Sequence, residues 1–169
     1  MLRQPVSATD HTRGSHAPRV VVVEYGDYQC PYCALAHPVV LEILRRLNDV
    51  AVVYRHFPLT EVHPLAEPAA QAAELAGSRG LFWEMHDGVF ANQPKLSGPL
   101  ILALGSQLGL DATDLREAVA KRKYAAKVEG DFLGGVRSGV NGTPTFFING
   151  RRHDGAFGLE SMLQAIRGA

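Results

Sequence analysis

The sequence predicts an α/β fold with a mixed central sheet, built in the order β-α-β, an all-helical insertion, then β-β-α. Three observations lead there. A β-branched run, Arg19–Glu24, opens into a helix-period segment, and a second strand-like run follows at Ala51–Phe57. Strand signals are then absent from about residue 64 to about residue 139. They return at Thr145–Ile148, followed by Asn149-Gly150, a strong hairpin-turn signal.

Residues 1–18 show no periodicity and are expected to form a disordered arm. Residues 19–169 are expected to form one domain, with the helical insertion at about 64–139. Arg19–Glu24 lacks polar alternation, which predicts a central strand buried on both faces. Gly26 and Asp27 mark a turn. A helix over about Cys30–Leu47 places Leu35, Val39, Ile43, Leu44 and Leu47 on one face, and Pro38 inside it predicts a kink. Asn48-Asp49 ends that helix, and Pro58 stops the strand at Ala51–Phe57. Helices are expected over Pro64–Gly77 and Gly80–Asn92, then from caps at Ser97 and Asp111, and along Tyr124, Val128, Phe132 and Val136. Arg151–Ala156 pairs as the last strand, and Leu159–Ile166 closes the chain as an amphipathic helix.

A chain of 169 residues, 46% of them apolar, can bury one sizeable core. Its net charge of +0 gives no reason to expect a nucleic-acid partner. No apolar run approaches the roughly 18 residues of a membrane span. Met1–Pro18 has no apolar core of a signal peptide, so a cytoplasmic placement is expected, or a periplasmic or secreted one if a leader has been removed. No dimerisation domain is visible, and a monomer is expected.

The chemistry concentrates in Glu24-Tyr-Gly-Asp-Tyr-Gln-Cys30-Pro31-Tyr32-Cys33, which holds the only two cysteines. The first turn of a helix has free N–H groups and the positive end of the dipole, which favour a thiolate at Cys30. Cys33 is close enough to resolve a mixed disulfide formed there. A redox pair follows, needing no organic cofactor beyond the Cys30–Cys33 disulfide itself. A metal-binding alternative would use Cys30, Cys33 and His37, but zinc wants four ligands and no second cysteine pair exists. His56, His63 and His86 are scattered and predict packing or surface roles rather than a triad with Cys30.

The order of elements, with Cys-X-X-Cys at the first helix and Thr-Pro before the hairpin, resembles the thioredoxin fold. The helical insertion narrows the resemblance to the DsbA-like thiol–disulfide oxidoreductases. Arg55-His-Phe-Pro-Leu59, Phe82-Trp-Glu-Met-His-Asp87 and Gly142-Thr-Pro-Thr-Phe-Phe-Ile-Asn-Gly150 are similar to that family as well. The resemblance implies that Cys30 attacks and Cys33 resolves. It implies that Pro144 is a cis-proline against the active-site turn, and that Thr143 offers its backbone to an extended substrate. It makes Glu24 a buried acid that exchanges a proton with Cys33, while Pro31 and Tyr32 tune the thiolate and meet substrate. Pro31-Tyr32 is the dipeptide of glutaredoxins, which leaves oxidase, reductase and isomerase directions open, and a glutathione-linked activity, glutaredoxin- or kappa-transferase-like, stands as an alternative. The implied partners are protein thiols and disulfides, with glutathione or another redox partner recycling the pair.

Overall fold

Valine's branched Cβ stiffens its side chain and favours extended backbone, and the chain runs four of them together at Val20–Val23. In the computed structural model, which describes residues 1–169, they form most of the central strand. The strands are β1 (His11–Gly14), β2 (Val20–Gly26), β3 (Val50–His56), β4 (Thr145–Ile148) and β5 (Arg151–His153). The helices are α1 (Pro31–Arg46), α2 (Ala66–Gly77), α3 (Phe82–Ala91), α4 (Gly98–Gln107), α5 (Ala112–Ala120), α6 (Ala125–Arg137) and α7 (Leu159–Arg167). The sheet order is β1-β3-β2-β4-β5. Only β2 and β3 run parallel; the other pairs are antiparallel. Ser97 and Asp111 accept main-chain N–H groups at the starts of α4 and α5, as their sequence context predicts.

The two-residue period of β2 sorts its side chains between two cores. Val20 and Val22 face Val40 and Ile43 of α1 and Met162, Leu163 and Ile166 of α7. Val23 and Tyr25 face the other way, against Phe57, Val140 and Phe147. A third core fills the helical region and reaches Tyr28, Tyr54 and both cysteines. One expectation is corrected here. α1 buries Cys33, Ala36, Val40 and Ile43, while Leu35 is 61% exposed. Small side chains at Cys33 and Ala36 let the helix approach the sheet closely, and bulk alone misassigned its face. The helix also continues unbroken through Pro38.

The expected disordered arm is the larger correction. Residues 11–14 form β1, which pairs antiparallel with β3 and extends the sheet at that edge. The segment before it wraps the buried Arg55. The Arg55 guanidinium donates to Asp10 Oδ1 and Oδ2 at 2.8 and 2.9 Å, and to the carbonyls of Gln4 and Pro5 at 2.9 Å. Arg13 of β1 makes a double bond-pair with Asp87 of α3 and lies over the Trp83 ring. These are polar anchors without apolar periodicity, so a pattern search passes over them.

The Arg55 and Asp10 side chains are 0% and 2% exposed. Asp10→Ala would leave the guanidinium buried without its counter-charge and is expected to cost about 3–5 kcal/mol. Urea denaturation followed by tryptophan fluorescence checks this, and an unchanged midpoint would refute it.

Candidate active site

The turn between β2 and α1 is fixed by one carboxylate. Asp27 Oδ1 accepts the main-chain N–H groups of Gln29 at 2.7 Å and Cys30 at 3.1 Å. Its Oδ2 accepts the Leu59 N–H at 2.8 Å and bonds His63 Nδ1 at 2.9 Å. Asp27 thus ties the active-site turn to the loop after β3. A Cβ at Gly26 would run into the Tyr54 ring, so only glycine fits the start of the turn. The sequence reading passed over Asp27 and His63 as site residues. Aspartate three residues before a helix's N-cap carries an Asx-turn signal that could have found the first.

Cys30 occupies the N-cap of α1, and Pro31 follows at the first helical position, where its missing N–H costs nothing. Both cysteines are free and buried, Cys30 being 4% and Cys33 0% exposed. The Cys33 thiol donates toward the Cys30 sulfur and lowers the Cys30 pKa to about 5, against the opposing effect of burial. The contact with Thr143 and the N–H groups of Cys33 and Tyr32 add to that stabilisation. Burial, the bond to Cys30 and the charges of Glu24 and Cys30 together push Cys33 well above the usual thiol range. Glu24 is 3% exposed and shares the α1 side of β2 with Val20 and Val22. Its cross-strand neighbours are Tyr54 and Phe146. Burial, then the Cys30 charge, raise its pKa to about 8.

The Thr143–Pro144 peptide is cis, and the Thr143 carbonyl lies 3.3 Å from Cys30 Sγ. Tyr32, 62% exposed, and the exposed Pro31 lie between the two cysteines in the chain. The structure therefore brings Cys30, Cys33, Glu24, Pro31, Tyr32, Thr143 and Pro144 to one place.

The family model of the DSBA-like thioredoxin domain matches residues 21–167. The chain belongs to this family. Among solved structures it is similar to a thioredoxin-like oxidoreductase from Silicibacter pomeroyi, at 25% identity and a TM-score of 0.82, covering 96% of this chain and 95% of that one. DsbA2 of Pseudomonas aeruginosa is 25% identical with a TM-score of 0.76, covering 98% and 96%. Oxidised BdbD of Bacillus subtilis shares the fold, with a TM-score of 0.81 at 22% identity over 93% of this chain and 90% of that one. The curated relatives are named differently. Na(+)/H(+) antiporter NhaA 1 of Salinispora arenicola is 47% identical over 160 residues, which is 95% of this chain and 24% of that protein. A protein of the same name from Mycobacterium sp. (strain KMS) is 37% identical over 162 residues, 93% and 26% of the two chains. The chain spans about a quarter of the length of these relatives.

In this DSBA-like domain His56 and His86 are buried in the interior rather than on the surface. His86 is buried and bonds the Tyr28 hydroxyl through Nδ1 at 3.0 Å, and burial holds it well below its ordinary pKa. His56 bonds Glu74 at 2.7 Å. His37, the third ligand of the metal alternative, is not assembled with the cysteines. It stacks on Phe90 and lies 3.3 Å from Asp87.

Glu24 sets a pH dependence that is clearest in the oxidised protein, where neither cysteine can titrate. With the cysteines reduced its pKa is about 8, raised first by burial and then by the Cys30 charge; burial still acts in the oxidised protein, so the folded state holds the proton more tightly than the ordinary value of 4.5 implies. Stability is then fully present below about 4.5 and is lost as pH rises from there through the raised folded value. Denaturation curves of the oxidised protein across this window are expected to show that slope, and Glu24→Gln to flatten it. A flat wild-type profile would refute the raised pKa.

Proposed function

We propose that the domain exchanges disulfides with protein thiols through a mixed disulfide at Cys30. The observation that carries this is the unequal pair, a stabilised Cys30 thiolate beside a buried, protonated Cys33. In the oxidising direction a substrate thiolate attacks Cys30 of the Cys30–Cys33 disulfide. A substrate–Cys30 S–S bond forms and Cys33 leaves as a thiolate. Glu24, protonated at neutral pH by its raised pKa, supplies a proton to Cys33. A second substrate thiolate then attacks the substrate sulfur of the mixed disulfide. Cys30 leaves as the stabilised thiolate, the substrate has lost two electrons and the pair has gained them. The reverse sequence reduces a substrate disulfide. The Thr143 carbonyl beside the sulfur and the exposed Tyr32 suit an extended substrate segment.

A stable thiolate favours the reduced form and makes the pair more oxidising. Thioredoxin, with a cysteine pKa of about 7 and a potential of about −270 mV, is the reference. A Cys30 pKa of about 5 adds roughly 2.3 kcal/mol of thiolate stabilisation at pH 7, or about 50 mV, and points to about −220 mV. As an oxidant such a pair needs an oxidising compartment to refill its disulfide. For that oxidising direction we propose the periplasmic or secreted placement rather than the cytoplasmic one. The antiporter relatives agree with work at a membrane, and we propose thiols of membrane-associated or exported proteins as its substrates.

Equilibration in glutathione redox buffers, followed by thiol alkylation and mass, tests this. The expected midpoint is about −220 mV at pH 7. Between pH 5 and 8 reduction takes up two electrons and one proton, because Cys30 ends as a thiolate and Glu24 stays protonated. The midpoint should then move by about 30 mV per pH unit rather than about 60 mV. Cys33→Ser is expected to accumulate a mixed disulfide that Cys30→Ser cannot form. If no intramolecular disulfide forms at any buffer ratio, the exchange mechanism is wrong.

A further inference from the structure

Away from the dithiol, His11, His56 and Glu74 converge from three different elements, β1, β3 and α2. We propose that this cluster is a binding site for a divalent transition-metal ion, with zinc the best fit. Both imidazoles present Nε2 to the same carboxylate oxygen, Glu74 Oε1, at 2.7 Å. The three ligand atoms all lie within 4.8 Å of one another. Two histidines and one glutamate, leaving a fourth position for water, are a ligand set that zinc accepts. Zinc bonds of about 2.0–2.2 Å would spread the three atoms to roughly 3.3 Å apart. Small side-chain rotations achieve that.

The ligands are held by rigid surroundings. The His11 ring stacks on Phe82 with centroids 3.5 Å apart and planes 4° from parallel. The His56 main-chain N–H donates to Asp131 Oδ2 at 3.1 Å, fixing the end of β3. Glu74 sits inside α2. A buried carboxylate ordinarily recruits a guanidinium or ammonium. Glu74 bonds neither and is met by two imidazoles, whose nitrogens become ligands on losing their protons. The His11 side chain is 18% exposed and gives an ion a way in, whereas His56 and Glu74 are 1% and 8% exposed. The neighbouring group of His37, His86 and Asp87 is a poorer candidate. The Arg13 guanidinium binds Asp87 at 2.7 and 3.1 Å and would repel a cation, and Tyr28 already engages His86 Nδ1. An ion at the first cluster would pin the N-terminal strand to the helical region.

The test uses protein purified without chelator and oxidised to the Cys30–Cys33 disulfide, so that thiolates cannot act as ligands. Titration with Co²⁺ is expected to give one equivalent of bound metal with a tetrahedral visible spectrum, no thiolate charge-transfer band, and displacement by Zn²⁺. His11→Ala, and His11→Gln as a second variant that keeps a polar side chain on the edge strand, should weaken binding by more than about tenfold. His37→Ala should bind as the parent does, and circular dichroism reports the fold of each. Absence of binding to the oxidised protein would overturn the proposal. So would binding that survives both His11 variants and is lost in His37→Ala.

Discussion

The site is governed by one constraint: its buried patch accommodates a single negative charge. Glu24, Cys30 and Cys33 are three acids where the end of β2 meets the first turn of α1, all nearly removed from solvent. Two anions this close, each stripped of water, would repel strongly, so the acids compete for one ionisation. Cys30 wins, because the Cys33 thiol and two helix N–H groups stabilise its sulfur as a thiolate. Its charge then helps to hold the protons on Glu24 and Cys33. Burial is the larger cause at Glu24 and Cys33, and the Cys30 charge adds to it. Asp27 is a fourth acid only one turn away, but four donors surround its carboxylate and it acts as a tie.

Much of the scaffold can be understood as meeting this constraint. The strand period puts Glu24 on the α1 side of the sheet, whereas a one-residue slip of β2 would put Tyr25 there and drive the carboxylate among Phe57 and Phe147. The helix can lie close above only because Cys33 and Ala36 are small. Glycine at 26 lets the Tyr54 ring close one wall of the patch. Arg55, on the opposite side of the same sheet, holds the N-terminal segment against β3 and extends the sheet by an edge strand.

The parts legible in the sequence are those written in local pattern. The valine run, the alanine-rich helix, the caps at Ser97 and Asp111 and the Asn149-Gly150 turn each announce themselves within a few residues. Cys30 and Cys33 were legible through spacing, and Glu24 and the Thr143-Pro144 step through resemblance. What escaped depends on partners distant in the chain. β1 is stabilised by Asp10 on Arg55 and Arg13 on Asp87, pairs separated by 45 and 74 residues. His63 meets Asp27 across 36 residues, and His11 meets Glu74 across 63. None of these pairs has a period or a spacing to detect. Leu35 misled for the opposite reason: a large apolar residue reads as core, although close packing here selects the small residues beside it.

The walls around Cys33 leave Glu24 as the acid that the proposed mechanism draws on. Tyr28 and Tyr54 are buried, and burial raises both phenols well above their ordinary range, so they stay protonated at neutral pH. His86 behind them is held unprotonated by burial and by the nearby cationic and imidazole groups. These groups exclude water from the resolving cysteine without changing charge themselves. A thiolate leaving at Cys33 would therefore sit in a neutral, aromatic enclosure where its desolvation is severe. Glu24, at about 8, holds a proton at neutral pH yet can release it. In the proposed reducing direction Glu24, once ionised, takes that proton back as Cys33 becomes nucleophilic. The aromatic wall and the misplaced-looking acid are thus two halves of one device, since an enclosure dry enough to hold Cys33 as a thiol also needs an internal proton carrier for it to react.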